Sequence, residues 1–384
     1  MTYRLFCLGL VFVLAACSNH GRREASATQA LLGGPSAQAD GSYAYDLTIV
    51  FSNDIHDHID PVASTGRGGM ARHVTAMRLL REQATSRGKE ILAINAGDNF
   101  EGSLFYETDG GALLFELLEM AGYDVVQVGN HDHQFGVQAL FDVLSRAFPG
   151  FQQNLDLTWG NVNPSRLSAI GTDPALAMAG FLPAQVAPEI PGAFENAFTD
   201  FDQGLTDPAL MDAPLANSRL FNQTLFFDRG GLRIGVFGID TDEILYSAVC
   251  GEGELFLDPG GRAENLRFYP PATHRYASDM IDYLSDPDGD AQTDDGADLI
   301  IAVTHVGTDV DLQIAQTAMG QSGRRIDVIV GGHSHDRINT DIIVDHGGGV
   351  ATHVVQAGAH GELLGSIDLS VDPATNTFFF FKQK

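Results

Sequence analysis

The stretch Val125-Val126-Gln127-Val128-Gly129-Asn130-His131-Asp132-His133-Gln134-Phe135-Gly136 decides how the rest of the chain is read. Its valines form an apolar run that reads as a short buried strand. Gly129 stops the run, and Asn130 and His131 stand just past its end. In open α/β sheets, ligands bind outside the carboxyl ends of strands. An amide oxygen beside an imidazole at that place suits a divalent cation next to a proton donor.

The same arrangement recurs along the chain. Residues 47–51 read as a strand by their β-branched content and end in Ser52-Asn53-Asp54-Ile55-His56. In extended chain Asp54 and His56 point to one side and can share a cation, with Asp57 and His58 as further candidates. Residues 91–94 form a second strand that leads into Gly97-Asp98-Asn99-Phe100-Glu101-Gly102-Ser103. There a glycine lets the backbone turn, and a carboxylate with two oxygens can bridge two cations. Residues 299–303 end in Thr304-His305, and residues 326–330 in Gly331-Gly332-His333-Ser334-His335. His56, His58, His131, His133, His305, His333 and His335 thus all follow apolar runs, which points to a dinuclear metal site.

Between these runs, residues 70–87 carry apolar side chains at helical spacing (Met70, Val74, Met77, Leu80), closed by Gly88. Residues 113–120 and 141–148 read as further helices. Arg72 either meets an anionic substrate or lies on the surface. Residues 223–227 and 232–239 predict a hairpin around Asp228-Arg229-Gly230-Gly231. Residues 354–355 precede Gln356-Ala357-Gly358-Ala359-His360-Gly361, and residues 367–371 and 377–381 close the chain as strands. This alternation says α/β. Asp286, Asp288, Asp290 and Asp294 lack the glycine and glutamate of a calcium loop and read as a solvated acidic turn.

Composition sets the class. The chain has 384 residues, ample for a large core, and at 44% hydrophobic and 19% charged it is globular. Its formal charge of −28 argues against a nucleic-acid partner, which would want a basic face.

The N-terminus reads as an address. Arg4 supplies a positive n-region, and residues 5–13 form an apolar core too short to span a bilayer. Leu14-Ala15-Ala16-Cys17 then resembles a bacterial lipoprotein signal. Residues 1–16 are expected to be removed and Cys17 lipidated, and residues 17–45 read as a flexible tether. With Ser18 next, the expected location is the bacterial cell envelope, anchored by lipid, with the outer membrane facing periplasm or exterior favoured. Of the three cysteines only Cys250 then remains in the body, so no internal disulfide is expected. Residues 151–217 lose periodicity and read as an insertion within one domain spanning 46–384.

Asp54-x-His56, Gly97-Asp98, Gly129-Asn130-His131, Thr304-His305 and Gly332-His333-Ser334-His335 resemble the five blocks of the calcineurin-like metallophosphoesterases. Within that family the chain is most similar to the catalytic domain of bacterial 5′-nucleotidases and UDP-sugar hydrolases. The resemblance implies a four-layer αββα sandwich of two mixed sheets, the metallo-dependent phosphatase fold. It implies that Asp54, His56, Asp98 and His335 hold one metal and that Asp98, Asn130, His305 and His333 hold the other, with Mn, Zn or Fe suiting such donors. It implies hydrolysis of a phosphate monoester, possibly a nucleotide, by a water activated between the metals, with His131 unligated and stabilising the phosphoryl group or leaving oxygen. Family members that cleave a phosphodiester or another bond, and a non-catalytic metal-binding protein, remain alternatives.

Two departures from the pattern stand out. The family's aspartate three residues after the catalytic histidine is replaced by Gln134, which can accept the imidazole N–H but adds no charge. Asp132 and His133 are the candidates to stand in for it. The base-binding C-terminal domain of two-domain nucleotidases is also expected to be absent, and no substrate-binding residue or oligomeric state is readable.

Overall fold

A computed structural model describes residues 45–86, 88–133, 137–149, 153–158, 162–163, 221–222, 224–241, 267–268, 275–287, 289, 295–372 and 377–382. Cys17, the tether up to residue 44, Gln134, Cys250 and most of the 151–217 stretch lie outside these residues, while Tyr45, read as the end of the tether, begins the first strand.

Two sheets carry the described chain. The larger contains β1 (Tyr45–Ser52), β2 (Glu90–Asn95), β3 (Val125–Gln127), β4 (Asp156–Thr158) and β6 (Phe221–Asn222), with a two-residue β5 (Val162–Asn163) outside it. The second contains β7 (Thr224–Arg229), β8 (Leu232–Asp240), β10 (Leu299–His305), β11 (Val328–Val330), β12 (Ile342–Gly347) and β13 (Val350–Val355), with β9 (Arg267–Phe268) pairing β5 instead. The chain then returns to the larger sheet as β14 (Gly365–Asp372) and β15 (Thr377–Lys382). The strand orders are β15-β14-β1-β2-β3-β4-β6 and β12-β13-β11-β10-β8-β7. Both are mixed: β1, β2, β3, β4 and β6 run parallel, with β14 antiparallel to β1 and β15 antiparallel to β14, and β8, β10, β11 and β13 run parallel between antiparallel β7 and β12. The expected hairpin is β7–β8. Asp156–Thr158, inside the stretch read as an insertion, is instead a strand of the larger sheet.

Alternating residues fill three apolar cores. Leu47, Ile49 and Phe51 of β1 meet Ile301 and Val303 of β10 and Val328 and Val330 of β11 between the sheets. Val50, Ile91 and Ala93 face the other way, against Met70 and Met77 of α1 (Met70–Ser86), Leu114, Phe115 and Leu118 of α2 (Ala112–Ala121), and Leu140 and Leu144 of α3 (Val137–Ala147). Ile300, Ala302 and Ile329 pack on Tyr276, Met280 and Ile281 of α4 (Arg275–Ser285) and Ile314 of α5 (Thr308–Thr317). The result is the four-layer αββα sandwich. Strands buried on both faces need apolar residues at every position, which is why they are legible as continuous runs. Each such side chain contributes about 1.5–3 kcal/mol by leaving water. Among the described residues no helix is long and apolar enough to cross a membrane.

Parallel strands deliver their carboxyl ends to one edge. β1, β2 and β3 end there from one sheet, β10 and β11 from the other. The two rims close to contact: a Cβ on Gly332 would stand 2.6 Å from the Ala96 carbonyl oxygen and 2.7 Å from His305 Nδ1.

Candidate metal centre

Asp54 and His56 do not converge by strand alternation. β1 stops at Ser52, and Asp54, His56 and Asp57 all adopt left-handed backbone, with φ of 50°, 49° and 53°. Asp98, His333 and His335 do the same, at 54°, 75° and 56°. Such conformations cost about 1–3 kcal/mol each and persist where surrounding structure over-determines them. Here the amides of Asp54, His56 and Asp57 donate to the carbonyls of Gly97, Asp98 and Asn99 at 2.8, 3.0 and 2.9 Å. The β1 loop is thus sewn onto the β2 loop, and the turn itself aims both side chains inward.

Seven residues read from the sequence meet at this rim. Asp54 Oδ1 lies 3.2 Å from His335 Nε2 and 3.9 Å from both His56 Nε2 and His305 Nε2. His56 Nε2 is 3.0 Å from His335 Nε2. Asp98 Oδ2 is 2.9 Å from His305 Nε2 and 3.8 Å from His56 Nε2. Asn130 Oδ1 is 3.0 Å from His333 Nδ1. Asp54, His56 and His335 form one cluster with ligand atoms within 4.8 Å of one another, and Asp98, His305 and His333 form another. A third, of His56, Asp98 and His131, joins them through Asp98.

In the neutral rings lone pairs face the middle, where a proton stands in when no cation is bound. His305 Nδ1 is 2.6 Å from the Ala96 carbonyl, so Nδ1 carries the hydrogen and Nε2 turns a lone pair toward Asp98 Oδ2. His56 Nδ1 likewise donates to the Glu101 carbonyl at 3.2 Å, leaving Nε2 as the acceptor that meets His335. Buried acceptors pointed at one another repel unless a cation or proton lies between them. Imidazole and carboxylate donors in this arrangement fit divalent metals.

The electrostatics agree. Burial alone would lower the His305 imidazole, but Asp98, Asp54 and Asp240 carry it well above its ordinary range. Burial alone would raise the Asp98 carboxyl, yet His305, His131 and His56 hold it below the usual carboxylate range. His335 is raised, chiefly by its contact with Asp54, while burial lowers His56.

No family model matches the chain. It is 25% identical over 342 residues to the trifunctional nucleotide phosphoesterase protein YfkN of Bacillus subtilis, covering 88% of this chain and 19% of that protein. It is 24% identical over 375 residues to a 5′-nucleotidase of Diplobatis ommata, covering 88% and 51% respectively. The solved 5′-nucleotidase precursor of Thermus thermophilus superposes with a TM-score of 0.57 at 22% identity, over 88% of this chain and 54% of that one.

The chain is similar to 5′-nucleotidases. Its two-sheet fold is the metallo-dependent phosphatase fold of those neighbours, consistent with a calcineurin-like metallophosphoesterase, and its relatives are hydrolases. It spans about half the length, or less, of the relatives it matches.

Around the cluster, the site is braced by polar side chains whose partners the sequence does not reveal. Asp132 accepts the amides of Asn99 and Phe100 on Oδ1, at 2.7 and 2.9 Å. Its Oδ2 accepts those of Asp98 and Gly129, at 3.0 and 2.9 Å. Asn53 donates to Asp54 Oδ2 at 2.5 Å and accepts the Ala357 amide at 2.7 Å. Gln356 donates to the Gly332 carbonyl at 2.9 Å and accepts the Asp336 amide. Each sits inside a block already quoted; what no sequence signal marks is that their partners are backbone groups. Arg72 donates to the carbonyls of Gly66 and Gly68, a loop-bracing role.

His131 lies at the open side, its side chain 30% exposed, with Nε2 4.0 Å from Asp98 Oδ2. Its amide donates to Asp98 Oδ1 at 2.8 Å. Neither expected substitute for the missing aspartate reaches its ring in a described contact: Asp132 is taken up by amides, and buried His133 pairs with Asp240 at 2.7 Å. The carboxylate recorded beside His131 Nδ1 is Glu101, at 3.5 Å.

Proposed function

We propose that the chain is a phosphoesterase of the 5′-nucleotidase type that holds two divalent cations at this rim and hydrolyses phosphate monoesters. The observation that carries the reading is Asp98, whose one buried carboxylate faces donors of both clusters. Asp54, His56, Asp98 and His335 would hold one metal and Asp98, Asn130, His305 and His333 the other. Mn, Zn or Fe suits the donors. Bound there, the metals supply positive charge that offsets the phosphoryl oxygens and acidifies an attacking water. Ala96 and Glu101 fix the tautomers of His305 and His56 through backbone carbonyls, so the ligands need no reorganisation. His131, unligated, stabilises the phosphoryl group or leaving oxygen, its Nε2 acting as donor when the ring carries both protons. The names of the relatives favour a nucleotide as substrate. The Leu14-Ala15-Ala16-Cys17 signal supports lipid anchoring in a bacterial envelope.

Stripping the protein with a chelator and restoring Mn or Zn is expected to abolish and then restore phosphate release from AMP and p-nitrophenyl phosphate. His131→Gln lowers restored turnover by roughly 10²–10³-fold. Absence of turnover on any ester with metals bound overturns the reading, and cleavage of bis-p-nitrophenyl phosphate alone moves it to diesters.

Metal uptake is expected to release protons. Because the metal-free cluster holds His305 and His335 above their ordinary range, a cation must displace those protons. Affinity therefore rises with pH across neutrality. Calorimetry of zinc binding in buffers of different ionisation enthalpy measures the proton count, and a value of zero contradicts the expectation.

A further inference from the structure

The carboxylate of Glu101 has no part in the scheme above, yet it is placed with care. Glu101 follows the Asp98 loop, adopts left-handed backbone with φ of 47°, and is followed by Gly102 at φ of 123°. A Cβ on Gly102 would stand 2.8 Å from the His56 carbonyl oxygen, so this segment is pressed onto the β1 loop with no room for another residue type. The Glu101 carbonyl already accepts His56 Nδ1. Its side chain then extends to the other imidazole of the rim, where Oε1 stands 3.5 Å from His131 Nδ1, a buried nitrogen that makes no hydrogen bond among the described residues and has this carboxylate as its neighbour. The ring of His131 is held edge-on by the His56 ring, with centroids 4.9 Å apart, and its Nε2 looks toward Asp98. Glu101 belongs to none of the three ligand clusters.

We propose that Glu101 is the positioning residue of His131: its carboxylate accepts the Nδ1 hydrogen, fixes the ring with Nε2 toward the phosphoryl site, and supplies the negative charge that Gln134 lacks. A carboxylate behind an imidazole selects its tautomer and stabilises its protonated form, while a glutamine in the same place does only the first. The pair is partly exposed, with side chains 30% and 36% accessible, so solvent screens it and the effect is moderate. The inference rests on the phosphoesterase reading for its catalytic meaning, but not for the contact itself.

The test uses the full chain in its zinc-loaded form. With p-nitrophenyl phosphate, Glu101→Gln is expected to lower kcat about tenfold with KM changed less than about twofold, and Glu101→Asp to recover part of the loss. On a His131→Gln background, Glu101→Gln is expected to change nothing further, because its effect passes through the ring. Two-bond ¹H–¹⁵N spectra, with the His131 signal assigned by its loss in His131→Gln, should show Nδ1–H in the parent and a shift toward Nε2–H in Glu101→Ala. Additive losses in the double variant, an unmoved tautomer, or zinc content that falls with Glu101→Ala would each overturn the proposal. If no variant, parent included, hydrolyses an ester, the phosphoesterase reading fails, while the tautomer measurement still decides whether Glu101 positions His131.

Discussion

Asp98→Asn is expected to leave the protein folded and to remove ester hydrolysis by roughly three orders of magnitude or more. The two effects separate because the two oxygens of Asp98 do different work. Oδ1 accepts the His131 amide at 2.8 Å, and an asparagine oxygen can keep that bond. Oδ2 faces His305 Nε2 at 2.9 Å, where an asparagine NH2 would donate to the imidazole lone pair. The metal-free variant therefore exchanges a buried charge pair for a neutral hydrogen bond, a change that is often neutral or mildly stabilising. In the proposed two-cation scheme, however, the bridging charge is gone and both cations lose a shared anionic ligand. Thermal melts with and without zinc check this. Metal-free midpoints should agree within a few degrees, while the zinc-induced rise of the parent, equivalent to about 2.7 kcal/mol at a hundredfold excess over Kd, should collapse in the variant. Retention of both zinc ions by Asp98→Asn would mean that Asp98 is not shared.

The sheets were legible where burial is two-sided. Residues 47–51, 91–94 and 299–303 are apolar at nearly every position because a core lies on each face. β12 escaped sequence reading because its burial alternates between partial and full exposure, with Asp345 and His346 in its length. β4 is three residues long and paired by neighbours remote in sequence, so it carries no local signal. α5 was hidden by Asp311, a buried carboxyl bonded to Thr304 at 2.6 Å in the middle of its apolar face. α4 carries Tyr276, Met280 and Leu284 at helical spacing, so its signal is present in the local sequence.

The site was legible for a related reason. Metal-type donors at the ends of parallel strands must converge once the strands align, whatever the loops do. The convergence of Asp54, His56, Asp98, Asn130, His305, His333 and His335 follows from that topology. The path by which they converge does not. Left-handed backbone at Asp54, His56, Asp98, His333 and His335 leaves only a weak trace in residue type, since none is glycine although Asp and His adopt it more readily than most. It is imposed by amide–carbonyl bonds between loops distant in sequence, and so are the roles of Asp132, Asn53 and Gln356. His131 and Glu101 lie thirty residues apart in the numbering, and the bonds from the Asp98 loop to His131 and Asp132, with Gly102 pressed against His56, bring them together.

Asp132→Ala is expected to cost about 3–5 kcal/mol of stability in the metal-free protein, more than any ligand substitution. Its carboxylate accepts four amides, from Asp98, Asn99, Phe100 and Gly129, and all these residues but Gly129 carry side chains buried at 0–1% exposure. Removing it leaves those donors without partners in a place too tight for water: a Cβ on neighbouring Gly129 would already stand 2.4 Å from Asp98 Oδ1. An unpaired buried donor costs about 1–3 kcal/mol, and relaxation of the loop recovers part of the sum. Asp132→Asn should fall between, since its amide group can satisfy at most the two donors that meet its oxygen and repels the other two. Because the same amides set the loop that presents Asp98, zinc affinity should fall in parallel with stability, although Asp132 touches no cation in the proposed scheme. Urea denaturation of the stripped proteins, followed by zinc titration below the unfolding transition, measures both quantities. A variant within about 1 kcal/mol of the parent would show that the four amides find other acceptors, and that the β2 and β3 loops hold their places without this carboxylate.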